Sequence, residues 1–173
     1  TAAAEEDLLQ NLNNNETALL NAIQDSVGKF RKLAKLFNQS QKAMFRFKQI
    51  QRSTYDFSDK QTKSLPNDCK TRWNSTFKLL QRCHELKYAI NNFFKYLNTP
   101  QGREEFPDGV SCDPIGDTLW VLAKLLVKIL NVFNEATLDL GGQKYSTLPL
   151  AFPWLRAIRM SLDADNDEYF RIV

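Results

Sequence analysis

Leu65-Pro66-Asn67-Asp68-Cys69-Lys70-Thr71-Arg72-Trp73-Asn74-Ser75-Thr76-Phe77-Lys78-Leu79-Leu80 joins two kinds of chain. Pro66 biases Leu65 away from helical backbone, so residues 65–73 are expected to run as a short extended arm. Asn74, Ser75 and Thr76 can each accept a hydrogen bond from the free amides of a helix start, and a helix is expected to begin there. Its apolar positions are Leu79, Cys83, Leu86, Ile90, Phe93 and Leu97, spaced 4, 3, 4, 3 and 4, which predicts one helical stripe up to Asn98-Thr99-Pro100. Arg72 and Trp73 stand at the joint between arm and helix.

Upstream, Ile23, Val27, Phe30, Leu33 and Phe37 recur at spacings of 4, 3, 3 and 4 and predict an amphipathic helix from Thr17, with Gly28 inside it. Residues 1–16, acidic and asparagine-rich, lack a steady apolar period and read as a flexible start. Residues 53–64 read as a polar connector and residues 99–114, with three prolines and two glycines, as a loop. Ile115, Leu119, Leu122, Leu126, Ile129 and Phe133 then predict a second strong stripe, broadened by Val121, Leu125 and Val132 into a buried central helix. A last helix is expected over 148–162, with Pro153 as a kink or its true start, before an acidic end. The expected fold is all-α: an irregular bundle of four to five helices in a single helical domain, 17–173.

At 173 residues, with 43% hydrophobic residues and 12 Phe, the chain has the material for one real core. No apolar run approaches the ~18 residues of a membrane span, and no signal segment opens the chain, so it reads as soluble and intracellular, with no membrane partner. It opens on Thr1 rather than Met and is read as a fragment of a larger protein. Cys69, Cys83 and Cys112 are odd in number and lack metal spacing, and Cys83 with the lone His84 would diverge on a helix.

The net charge of +3 hides an asymmetry. Residues 1–25 carry no basic and 5 acidic residues, 26–95 carry 16 and 4, and 96–173 carry 7 and 11. The middle segment is the part suited to a polyanion. Lys29, Arg31, Lys32, Lys35, Lys42, Arg46, Lys48 and Arg52 occur with no acid among them. On a helix whose core face is Phe30, Leu33 and Phe37, Arg31, Lys32 and Lys35 are expected to turn outward as a positive strip for phosphates, or simply as a solvated face.

Trp73 has two readings. Either it closes the core at the helix start, as most tryptophans do, or its indole stacks on an exposed base while Lys70 and Arg72 meet phosphates. No phosphate loop, nucleophile elbow or paired-histidine metal motif is present, and Asp163, Asp165, Asp167 and Glu168 lack the pattern of a calcium loop.

Lys70 to Phe77, followed by Leu79-Leu80-Gln81-Arg82, resembles the "TRWNSTY..L.R" signature of hAT (hobo/Activator/Tam) transposases. Residues 29–40, KFRKLAKLFNQS, are similar to the basic helix ending in serine that precedes that signature. Trp120, Leu130, Phe133, Ala136-Thr137, Tyr145 and Thr147 resemble a later family segment, with Ser146 where proline is usual. The resemblance covers roughly residues 20–160.

It implies the helical insertion of an RNase H-like transposase, or of a host protein derived from one, acting in DNA transposition in the nucleus. The family's catalytic aspartates and glutamate hold divalent ions, Mg or Mn in the full-length parent. They lie outside this region, so no catalytic residue maps here and the chain is not expected to cut DNA alone. Trp73 matches a family tryptophan associated with the transposon-end hairpin.

The expected partner is DNA, met through Lys29, Arg31, Lys32, Lys35, Arg46, Lys48, Lys70, Arg72 and Trp73. Any homo-oligomer would form through parts of the parent. The alternative is a helical protein-interaction module without DNA contact, docking through residues 115–133 or through aromatics near Phe94 and Trp154.

Overall fold

Ser40 divides what the basic, aromatic N-terminal sequence would otherwise extend as one rod. Its backbone is extended (φ −104°, ψ 106°) and its hydroxyl accepts from the Ala43 amide at 3.2 Å, so one helix ends and another is capped at the same place. The structure, a computed structural model, describes residues 16–69, 72–141 and 148–162. The acidic start, Lys70 and Thr71, the loop around Tyr145 to Thr147 and the acidic end at Asp163 to Glu168 lie outside the described residues.

Seven α-helices follow: α1 (Glu16–Gln39), α2 (Gln41–Tyr55), α3 (Trp73–Glu85), α4 (Lys87–Leu97), α5 (Pro100–Glu105), α6 (Asp117–Leu140) and α7 (Leu148–Leu162), with a 3-10 turn at Asp59–Gln61. The fold is all-helical, with no strand among the described residues.

The helices outnumber the four or five expected because two breaks carry no proline or glycine. The stripe of Leu79 to Leu97 is one helix by period but two in space. Leu86 (φ −102°, ψ 16°) closes α3 through its amide to the Arg82 carbonyl at 3.1 Å and opens α4 by accepting from Ile90 at 2.9 Å. The cause is tertiary. α3 packs on α1 and α4 packs on α2, so the stripe divides where it passes from one partner helix to the other. The third addition, α5, occupies part of the expected loop 99–114; Thr99 caps it, accepting from the Gly102 amide at 3.1 Å, and Pro100 fills its first position.

The predicted stripes do supply the core: Val27, Phe30, Leu33, Phe37, Leu79, Cys83, Leu86, Ile90 and Phe93 are all buried. Phe37 stacks on Phe47 at 4.1 Å between ring centres and meets Phe93 edge-on at 4.9 Å, tying α1, α2 and α4 together. Phe30 meets Trp120 of α6 edge-on at 5.1 Å. Phe94, expected as an exposed docking aromatic, is buried instead, because it falls on the core side of α4 with Ala89, Ile90 and Phe93.

The described residues fall into two compact units, one up to Lys124 and one from Leu125, where a single domain over 17–173 was expected. α6 is therefore not one uniformly buried central helix: Trp120, Leu122 and Ala123 are buried, whereas the apolar positions from Leu125 to Phe133 are half-buried. In the second unit, Trp154 donates to Asp139 at 3.1 Å. α7 starts at Leu148 and carries Pro153 inside it, so Pro153 is not the start.

Where an extended arm was expected over 65–73, residues 62–69 are irregular chain pinned along its length, and Trp73 at the far end belongs to α3. The buried Gln51 side chain donates to the Lys63 carbonyl at 2.8 Å and accepts from the Lys63 amide at 2.9 Å. Arg82 donates to the Ser64 carbonyl at 3.3 Å, Leu65 is buried, and Asn38 donates to the Leu65 carbonyl at 3.1 Å and to Asn67 at 2.6 Å. Arm geometry thus comes from side chains of α1, α2 and α3 acting as the missing strand partner.

Candidate nucleic-acid interface

The arm ends on Asp68, whose side chain is only 2% exposed. A carboxylate so placed must be compensated. Arg31 of α1 forms an ion pair with it and also donates to Thr76 Oγ1 at 3.3 Å; Ser75 Oγ and Thr76 Oγ1 lie 2.5 and 3.0 Å from Asp68 Oδ1. Ser75 and Thr76 therefore reach back to the arm instead of capping α3. The N-cap of α3 is Arg72, which makes no side-chain cap bond, and the helix starts at Trp73, one residue before the expected Asn74.

Ser75 Oγ also accepts from the Cys69 amide at 2.8 Å and lies 2.8 Å from the Arg72 carbonyl. The Arg72 amide donates to the Cys69 carbonyl and the Ser75 amide to the Arg72 carbonyl, each at 2.9 Å. This knot fixes the backbone on both sides of Arg72. Arg72 itself is exposed, and Trp73 is 41% exposed, so Trp73 does not close the core. Trp120, deep against Phe30, holds that role instead.

The other basic residues part company. Arg46 pairs with Glu105, donates to Gln49 at 2.8 Å and lies over the Tyr96 ring at 4.5 Å. Lys42 donates to the Glu105 carbonyl and sits over Phe106. Arg52 pairs with Asp59, and Arg82 and Lys63 with Glu85. Arg31 and Arg46, expected to face a polyanion, are thus engaged inside the fold, because a planar guanidinium matches a carboxylate better than an ammonium does.

Lys32 and Lys35 are exposed, and Lys29 and Lys48 are half-buried; none of the four forms an ion pair among the described residues. Lys32 and Lys29 lie near enough to Cys112 to draw its thiol down, although burial and Asp113 leave it raised. Lys70 lies outside the described residues. Cys83 is buried while His84 is exposed, as divergence on a helix requires.

Two carboxylates in this region titrate low. Burial would push the Asp68 carboxyl up, but the Ser75 hydroxyl, the Arg31 guanidinium and the Thr76 hydroxyl outweigh it and hold the group below the usual carboxylate range. For Glu105, burial again acts upward and is outweighed by Arg46, Tyr96 and Lys42.

Groups lowered by folding stabilise the fold fully above the ordinary carboxylate range of about 4, and that contribution is lost as pH falls through their folded values. Stability measured by urea unfolding is expected to decline modestly from about pH 7 to 5, because burial and the nearby Lys124 and Lys87 lower the His84 pKa, and to fall further below about pH 4 as the two carboxylates protonate. In the double variant Asp68→Asn, Glu105→Gln the fold is weaker at pH 7 and its acid limb is shallower. An acid limb of unchanged steepness would assign the effect to other groups.

The sequence reading missed Asp68 and Glu105. A signal for the first was present: Asp68 is the only acidic residue between Lys60 and Arg82, in the most basic part of the chain. Among the described residues no three His, Cys, Asp or Glu side chains come together as a metal-ligand set. No helix of the described residues is long and apolar enough to cross a membrane.

Among the described residues the chain is strandless and helical, with a pinned arm leading into a basic, aromatic helix start. The family model described as the ZBED1 RNase-like helical domain matches residues 10–107, more than half of the chain, and the chain belongs to that family, a hAT-derived, transposase-like one. The match ends just after α5. No curated protein and no solved structure matches the chain significantly.

Proposed function

We propose that this domain contacts DNA, a transposon end or an end-like structure, through Arg72 and Trp73 at the start of α3, supported by Lys70 and by Lys29, Lys32, Lys35 and Lys48. The observation that carries the reading is the joint itself. Asp68, Ser75 and Thr76 and the backbone of Cys69 and Arg72 are tied together by hydrogen bonds, yet the cation and the indole at the joint are exposed. Exposed aromatic surface beside positive charge is the arrangement that stacks unpaired bases while holding the backbone. The resemblance of residues 70–82 to the hAT signature supports the same assignment, and with it a nuclear setting and descent from a transposase acting in DNA transposition. The parent, rather than this chain, would supply the metal-binding acids.

Trp73→Ala tests it. The variant is expected to unfold within about 1 kcal/mol of wild type, as an exposed site should, and to lose about 1–3 kcal/mol of affinity for a DNA hairpin with an unpaired loop. Unchanged affinity in a salt titration of both proteins would refute the contact.

A second reading, a protein-interaction module, draws support from α7, where Phe152 is 81% exposed and Leu155 and Leu162 are exposed beside it. It is separated from the first by Phe152→Ser, which leaves hairpin binding untouched if DNA is met only at α3.

A further inference from the structure

We propose that Asp68 is a positioning residue for the DNA contact. With Arg31 as its counter-ion and Ser75 as its link, it sets the backbone from which Arg72 and Trp73 project. The inference rests on the DNA-contact reading above. Electrostatics alone makes Asp68 a puzzle, since a carboxylate four residues from Arg72 lowers the attraction of this surface for phosphate. Its burial and its three side-chain partners give it a different task.

Ser75 has one hydroxyl proton, and the charged oxygen of Asp68 at 2.5 Å is the strongest acceptor within reach, ahead of the Cys69 and Arg72 carbonyls at 2.9 and 2.8 Å. That donation leaves the Ser75 lone pairs to receive the Cys69 amide. One carboxylate thereby orients one hydroxyl, and the hydroxyl holds the segment on which Arg72 stands. α3 has no side-chain bond from its N-cap residue, so the Ser75 hydroxyl works beside the two backbone bonds at Arg72 in holding this first turn. Arg31 belongs to the same device: it places Asp68 and does not itself meet phosphate.

The sign of one substitution separates this from simple charge effects. Binding of the full chain to a fluorescent DNA hairpin with an unpaired loop is measured across salt concentrations for wild type, Asp68→Asn, Ser75→Ala, Arg72→Ala and the Ser75→Ala, Arg72→Ala pair. Asp68→Asn is expected to weaken binding about ten-fold although it removes a negative charge, the size of one misplaced stacking or phosphate contact. Ser75→Ala weakens it similarly with no charge change and lowers the salt slope by about one. On the Arg72→Ala background it costs clearly less than in wild type, because the part that acts through Arg72 is already gone and only the part through Trp73 remains.

Equal or tighter binding by Asp68→Asn overturns the inference. So does a Ser75→Ala variant that binds more weakly with the wild-type salt slope, which marks a structural role only. Should Asp68→Asn fail to fold, the Ser75→Ala slope and the double variant decide alone. If wild type does not bind the hairpin even at low salt, the DNA-contact reading itself falls, and the inference with it.

Discussion

Gly102→Ala is expected to destabilise the fold by about 3 kcal/mol, at the upper end of what overpacking costs, and to detach α5. Helix propensity argues the other way, since alanine is favoured over glycine by about 1 kcal/mol inside a helix. Packing decides it. A Cβ on Gly102 would stand 2.0 Å from the Tyr96 carbonyl oxygen and 2.9 Å from the Leu97 Cα, both backbone atoms of α4 that cannot swing aside. Relief requires α5 to move, and moving α5 breaks the Glu105 links to Arg46 and Tyr96 and withdraws Phe106 from Phe93. Gly28→Ala is the control. Nothing lies within 4 Å of a Cβ there, so the same substitution in α1 is expected to stabilise by about 1 kcal/mol. Urea midpoints of the two variants should move in opposite directions; a stabilised Gly102→Ala would mean that α5 does not pack on α4 as described.

Gln51→Leu is the second large effect. The side chain is fully buried, and its amide serves both backbone groups of Lys63, as a neighbouring strand would. Leucine keeps most of the volume but leaves an amide and a carbonyl without partners, and each such group costs ~1–3 kcal/mol when buried. Because Lys63 is half-buried and can recover part of its hydration, the expected loss is about 2–4 kcal/mol in thermal unfolding. The Lys63 amide should also exchange with solvent faster than in wild type. A variant within about 0.5 kcal/mol of wild type would show that the arm does not depend on this clamp.

These two sites show why the position of α5 and the clamp that holds the arm have no local sequence signal. The apolar stripes of α1 and of α3 with α4 were legible because burial imposes a period of 3.6 on any helix that covers a core. The start of α3 was legible to within one residue. The division at Leu86 was not, since no residue there disfavours helix; the break falls where the chain passes from packing on α1 to packing on α2. The helix at Pro100 to Glu105 was hidden in a proline-rich stretch whose Thr99-Pro100 start is a sound cap.

The candidate site was legible in the same uneven way. Arg72 and Trp73 stood out by residue type and place, and both reach the surface. Arg31 and Arg46 looked equivalent to their lysine neighbours by sequence, because nothing local says that Asp68, 37 residues away, and Glu105, 59 residues away, will come to meet them. Long-range ion pairs have no period and leave no trace in a helical stripe.

Local chemistry alone therefore determined the all-helical class, the core faces of the main helices, the basic middle segment and the arm-to-helix joint, because each depends on neighbours within a few turns. Tertiary structure decided which cations remain on the surface, where the long stripe divides, and that Trp73 faces outward while Trp120 fills the core. Those outcomes depend on which distant side chains share a space, and that is settled only when α1, α2, α3 and the arm are brought together.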